Sequence, residues 1–324
     1  MRKARIILVL IFVSLIVATL AWLGRMPSRS DAVASAPEDT RPLLRIGLIP
    51  ERDIYQQRKV YTELKEYLSA KLDCRVELVT NSTYRGVLED FRNEQVDAAF
   101  LGSLVAVLAA DRYGAEVVAK PEYIGGISTY HGTIFVKADS TVQSLKDLRG
   151  KTIGGVHTTT AGALYPVYKL INEDLYGTKD APQIVWSGTH DDVIREVFAG
   201  QLAAGAVKNL RLDAYLQRHP EAKVRILANS ANVPENALVV RKGISPEVWN
   251  KLRSTLLAMR DDPEGAAVLK TLGMTQFVPC NLRDYSAVYD MAEAVGNNWS
   301  AMGVEGPAPH QPASSTQPPA TGAN

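Results

Sequence analysis

Ser140-Thr-Val-Gln-Ser-Leu-Lys-Asp-Leu-Arg-Gly-Lys-Thr-Ile-Gly-Gly-Val-His-Thr-Thr-Thr-Ala-Gly162 leads from a polar approach through a short apolar run into a hydroxyl-rich turn. Residues 152–156 read as a strand and 157–162 as a turn, after which Leu164, Val167, Leu170, Ile171 and Leu175 recur with helical spacing. Pro166 lacks an N–H and is tolerated only in a first turn, so the helix begins around residues 161–163 and Thr158, Thr159 and Thr160 precede it. The first N–H groups of a helix have no internal partners, and the dipole makes that end positive, so an oxyanion is held there. The dipole contributes about 0.3–1 kcal/mol, whereas each hydrogen bond to a charged group contributes roughly 1.5–3 kcal/mol. Donors therefore set the affinity. A second reading gives the same threonines a purely structural role as helix caps.

Nearby, Gly150-Lys151-Thr152 imitates the end of a nucleotide-phosphate loop. That motif needs a glycine at position 145, where Leu145 stands, and its Lys-Thr must enter a helix, whereas here it enters a strand. Nucleotide hydrolysis is set aside on those grounds. The chain also lacks a Gly-x-Ser-x-Gly elbow, a His-Glu-x-x-His site and paired Cys motifs, and its 5 histidines are scattered. Asp191-Asp192 and Asp261-Asp262 fall at predicted helix starts, where dipole complementarity accounts for them. No residue presents itself as catalytic or as a metal ligand.

The chain has 324 residues, 46% of them apolar, and a formal net charge of +1 at pH 7. This is enough for one large or two ordinary domains, and it offers no basic face to a nucleic acid. Arg2, Lys3 and Arg5 precede the uncharged apolar run 6–23. A signal-peptide core is about 7–15 residues long and a membrane span about 18 or more, so residues 1–24 read as a retained anchor. Ala32-Val-Ala34 keeps the cleaved signal peptide open as an alternative. The basic end stays in the cytoplasm and the body is exported, giving a periplasmic or extracytoplasmic protein tethered by residues 6–23. Residues 25–42 read as a flexible tether, and 305–324, rich in Pro, Ser, Ala and Thr, as a disordered tail. Cys74 and Cys280 are the only cysteines; export permits a disulfide between them, and two separate buried thiols are the other reading.

Strands at residues 44–49, 76–80, 97–101 and 117–118 alternate with helices at 59–72, 86–93 and 104–112. A second set of strands follows at 133–136, 152–156, 183–186, 204–207, 224–227 and 237–240, with helices between them. From Ser245 the pattern is helical throughout, with Ser245-Pro246 and Asp262-Pro263 as helix starts. Alternation of this kind predicts an α/β fold of two lobes closing as a clamp. Lobe 1 takes residues 43–130, an inserted lobe 2 takes 131–242, and a helical C-terminal return at 243–304 completes lobe 1. Ligands of open α/β sheets collect beyond the carboxyl ends of strands, which directs attention to the loops at 50–55, 102–103, 157–162, 188–190 and 208–209.

Six stretches together resemble the phosphate, phosphite and phosphonate binding proteins of ABC importers, which have the type 2 periplasmic-binding-protein fold. They are Ile46-Gly-Leu-Ile-Pro50, Val96-Asp-Ala-Ala-Phe-Leu-Gly102, Tyr130-His-Gly-Thr-Ile-Phe-Val136, Asp147-Leu-Arg-Gly-Lys151, Thr159-Thr-Ala-Gly162 and Gly188-Thr-His190. The resemblance implies a non-catalytic, monomeric receptor, without cofactor or metal, that captures a small oxyanion between its lobes for an inner-membrane ABC permease. A tethered sensor acting on a histidine kinase is the alternative that the retained anchor favours, and an enzyme on the same fold is a further one.

The family's Ser-Thr-Ser-Gly turn maps onto Thr159, Thr160, Ala161 and Gly162, with Thr158 beside it, and Ala161 offers only its backbone N–H. The resemblance further assigns ligand contacts to His190, Tyr84 and Tyr130, and the expected set is completed by Gly102, Ser103, Lys208 and Asn209. His190 also fits a helix start within Thr189-His-Asp-Asp192, where Asp191 and Asp192 are expected to favour its charged form. Lys208-Asn209 stands near where aminoalkyl-phosphonate binders place an acid. Lys208 is therefore expected to add positive field and to favour a compact oxyanion without an amine, a solvated surface lysine being the other reading.

Overall fold

The computed structural model describes residues 39–50, 54–296, 299 and 302. The expected anchor at 1–24, most of the tether at 25–42 and the tail at 305–324 lie outside these residues. No helix among the described residues is long and apolar enough to cross a membrane.

The chain opens with strand β1 (Leu43–Leu48), helix α1 (Ile54–Leu72), β2 (Arg75–Thr80), α2 (Tyr84–Arg92), β3 (Ala98–Leu101), α3 (Ser103–Tyr113) and β4 (Glu116–Tyr123). Strand β3 is buried along its whole length, which explains its uninterrupted apolar sequence, because parallel strands covered on both faces do not alternate. Helix α3 is likewise apolar over nearly its full circumference and ends where Gly114 takes the left-handed conformation, φ 64°. After the short strand β5 (Thr129–Tyr130) come β6 (Gly132–Lys137), β7 (Thr152–Val156), α4 (Tyr165–Asn172), β8 (Gln183–Ser187), α5 (His190–Phe198), β9 (Ala204–Lys208), α6 (Asn209–Arg218) and β10 (Val224–Asn229). The return passes through β11 (Val233–Pro234) and β12 (Ala237–Val240) to α7 (Pro246–Ala258), α8 (Pro263–Leu272), β13 (Met274–Pro279) and α9 (Ser286–Val295).

Two sheets result. The first has the order β13-β4-β12-β3-β1-β2 and the second β10-β6-β9-β7-β8. All strands of the second sheet lie within one continuous segment, so it is an insertion into the chain that builds the first. The segments that enter and leave it pair as β5 and β11, antiparallel, with Tyr130 opposite Val233 and Thr129 opposite Pro234. This is the two-lobed α/β clamp expected from the order of elements.

Two boundaries differ from the sequence reading. Residues 237–240, assigned to lobe 2 within 131–242, form a strand of the first sheet, paired antiparallel with β3 through Ala237 opposite Leu101 and with β4 on the other side. Four apolar residues state that a strand is buried, not which sheet buries it. The return after Ser245 is also not helical throughout, since β13 runs antiparallel to β4. Gly273 ends α8 in the left-handed conformation, φ 73°, and turns the chain straight into that strand. Cys74 and Cys280 are separately buried and not bridged. Helix α9 packs on both α3 and α4, and Tyr289 donates to Asp111 on α3 at 2.9 Å, so the C-terminal return touches both lobes.

Candidate functional site

Helical segments from both lobes begin around one narrow cavity. From lobe 1 come the first residue of α2, Tyr84, and Gly102, which precedes α3. From lobe 2 come Thr159 and Thr160 at the head of α4 and His190 at the head of α5. Each of these ends carries a partial positive charge beside that space, while side-chain caps take the Gly86, Leu104, Gly162 and Asp192 N–H groups.

The turn at 158–164 is unusual in four connected ways. Thr159 is an N-cap whose hydroxyl donates to the Val156 carbonyl at 2.8 Å and accepts from the Gly162 N–H at 3.1 Å. Its own carbonyl accepts from both Ala163 and Leu164 at 3.1 Å, so residues 160–164 form one wide π turn before α4. Gly162 is obligatory there, because a Cβ would stand 2.7 Å from the Val156 nitrogen and 2.9 Å from the Thr159 hydroxyl. Thr158, just ahead, has φ 61°, a conformation in which a β-branched residue is strained. It is 1% exposed, and its hydroxyl has no hydrogen-bond partner among the described residues.

Thr160 belongs to a different contact. Its hydroxyl oxygen accepts from the Leu104 N–H at 2.8 Å, so a lobe 2 side chain caps helix α3 of lobe 1. Thr159 and Thr160 both line the cavity, and the oxygen of each also accepts an N–H at a helix start. Thr160→Ala should lower the unfolding free energy by about 1–3 kcal/mol in a urea melt, because it leaves a buried N–H unsatisfied.

Of the remaining expected residues, Tyr130 and Lys208 also lie on the cavity wall. Ser103, Ala161, Gly162 and Asn209 do not. Ser103 donates its hydroxyl to the Pro234 carbonyl at 2.6 Å, and the Asn209 Oδ1 accepts from the His131 N–H at 2.9 Å, so local backbone claims both side chains. Ala161 and Gly162 are packed inside the turn rather than exposed at its mouth.

At His190 the two sequence readings coexist. The Thr189 hydroxyl accepts from the Asp192 N–H at 3.2 Å and caps α5, which leaves His190 facing the cavity. Asp191 is held by Arg211 and Asp192 by Arg195.

Lys208 is neither solvated nor an unopposed charge. Its ammonium lies 2.8 Å from Glu235 Oε2 and 4.6 Å from the centre of the Tyr130 ring, with side chains 7% and 0% exposed for Lys208 and Glu235. Burial holds the Tyr130 phenol above its usual range, while Lys208 and the hydroxyls of Ser103 and Thr160 act in the opposite direction. Sequence reasoning missed Glu235 and its neighbour Asn236, which lines the cavity. They follow β11 in a segment without periodicity, and only the pairing of the two crossing strands brings them to the site. Among the described residues, no His, Cys, Asp and Glu side chains gather as a metal site would require.

The fold and this cavity define a two-lobed solute-binding clamp. Residues 46–285 match the family described as the periplasmic substrate-binding protein of the phosphonate ABC transporter. The chain is 25% identical over 269 residues to the phosphonates-binding periplasmic protein of Escherichia coli, covering 81% of this chain and 79% of that one. It is 26% identical over 254 residues to a phosphate-import protein of Mycolicibacterium smegmatis, covering 73% and 78%. Among solved structures, a Xanthomonas citri protein bound to chloride superposes with a TM-score of 0.69 at 23% identity, over 80% of this chain and 99% of that one. The protein belongs to this family of extracytoplasmic ABC-transporter binding proteins, a non-catalytic class.

Proposed function

We propose that the cavity between the lobes captures a compact phosphorus oxyanion, phosphate, phosphite or a small phosphonate, and that the closed clamp delivers it to an inner-membrane permease. The observation that carries this reading is the convergence of helix starts from both lobes on one small cavity, a field suited to a guest with negative charge. Thr158 Oγ1, Lys208 and His190 are the side chains assigned to the guest's oxygens, with Tyr84 and Tyr130 closing the sides. Residues 6–23 are proposed to tether the protein to the membrane. Washing of membranes with alkaline carbonate tests this, and release of the protein would argue for cleavage.

Thermal denaturation of the full chain with phosphate, phosphite, methylphosphonate, 2-aminoethylphosphonate and sulfate tests the ligand class. A true ligand at a hundred times its Kd is expected to add about 2.7 kcal/mol of stability. Stabilisation by none of the phosphorus anions would remove the reading, and tightest binding of the amine-bearing one would overturn its preference for a tail-free guest.

A further inference from the structure

Lys208 is the sole permanently charged side chain on the cavity wall among the described residues, and its charge is answered from behind. Glu235 Oε2 accepts from the Lys208 ammonium at 2.8 Å and from the Asn236 N–H at 3.1 Å. Its second oxygen, Oε1, is closed off from solvent and has no hydrogen-bond partner among the described residues. A carboxylate so poorly satisfied keeps its negative field, and in a low-dielectric interior that field reaches the guest little weakened. The fixed charge of Lys208 and Glu235 therefore sums to zero, and the guest's charge is met mainly by helix dipoles and neutral donors. Such a site holds one negative charge well. A second charge meets Glu235 without a second fixed cation on the wall to offset it.

We infer that Glu235 is a specificity-determining residue that makes the cavity select singly charged, protonated oxyanions over doubly charged ones. The inference rests on the proposed oxyanion reading and adds to it the charge state of the guest. Glu235 acts through Lys208 and the field at the cavity, and no contact with the guest is required of it. The other groups that face the pair are the Tyr130 phenol from β5, against which Lys208 lies, and His190 across the cavity at the start of α5.

Phosphate and sulfate separate the terms, since they share size and shape, but in mildly acidic buffer phosphate carries mostly one charge and sulfate two. Calorimetric titration of the full-length protein at one such pH is expected to give phosphate a preference of about 100-fold over sulfate. Glu235→Gln, which keeps the shape and removes the charge, is expected to narrow that preference at least about tenfold by improving sulfate. Equal binding of phosphate and sulfate by the unaltered protein would overturn the inference alone, with no variant needed. An unchanged ratio in a folded Glu235→Gln protein, checked by its circular dichroism, would do the same. Binding of neither anion would remove the oxyanion reading and this inference with it.

Discussion

Lys208→Met is expected to lower the unfolding free energy by about 3–5 kcal/mol, the penalty for leaving a buried carboxylate without its counter-charge. The side chains of Lys208 and Glu235 are 7% and 0% exposed, so water cannot replace the lost ammonium without opening the site. Glu235 Oε2 would retain only the Asn236 N–H, and Oε1 has no partner to begin with. Urea denaturation read by far-UV circular dichroism measures the effect. Replacing both members, Lys208→Met with Glu235→Leu, is expected to recover most of the loss, because removing a whole buried pair is often neutral or stabilising. A single-variant loss below about 1 kcal/mol, the size of an exposed pair, would mean that the interior tolerates the lone carboxylate and that the pair contributes little. The same double variant removes the positive charge from the cavity, so its stability and its oxyanion affinity are expected to part company.

The features legible in the sequence are those whose cause is local. The strand, turn and helix at residues 152–172 are written in a short apolar run, a cluster of hydroxyls and a proline that fixes where a helix begins. The same holds for Thr189 and Ser245, whose side chains cap the helices they precede. What the sequence withholds depends on partners distant along the chain. The Thr160 oxygen is engaged by Leu104, 56 residues earlier, and nothing around Thr160 announces it. Residues 237–240 read as a buried strand, yet their place between β3 and β4 follows from the return crossing at Val233–Pro234. Glu235 is one acidic residue after a proline, and its meaning comes from the lysine 27 positions away that it neutralises. Ser103 and Asn209, expected in loops after strands, are instead the first residues of α3 and α6, and backbone groups of the crossing segments and their surroundings claim their side chains.

Thr158 carries the second large expectation, one in which stability and binding move in opposite directions. With φ 61°, 1% exposure and a hydroxyl without a partner, it combines backbone strain with an unsatisfied buried group. Its N–H donates to the Met302 carbonyl at 3.2 Å, so the C-terminal segment helps to hold the strained turn. Strain and an orphaned hydroxyl at one cavity-lining residue are explained together if the hydroxyl is reserved for the guest. Thr158→Gly should then raise the unfolding free energy by about 1 kcal/mol, since glycine adopts the left-handed region freely. The same change should weaken oxyanion binding by roughly 10- to 100-fold through loss of a donor to a charged group. Thr158→Val separates the two terms: it keeps the branched shape and the strain but removes the hydroxyl, so affinity should fall without the gain in stability. Thr158→Ser keeps the hydroxyl and should bind nearly as well as threonine. Were the valine variant to bind as tightly as the parent, the strained turn would have to be attributed to packing against Met302, and the donors would have to be sought among the helix N–H groups alone.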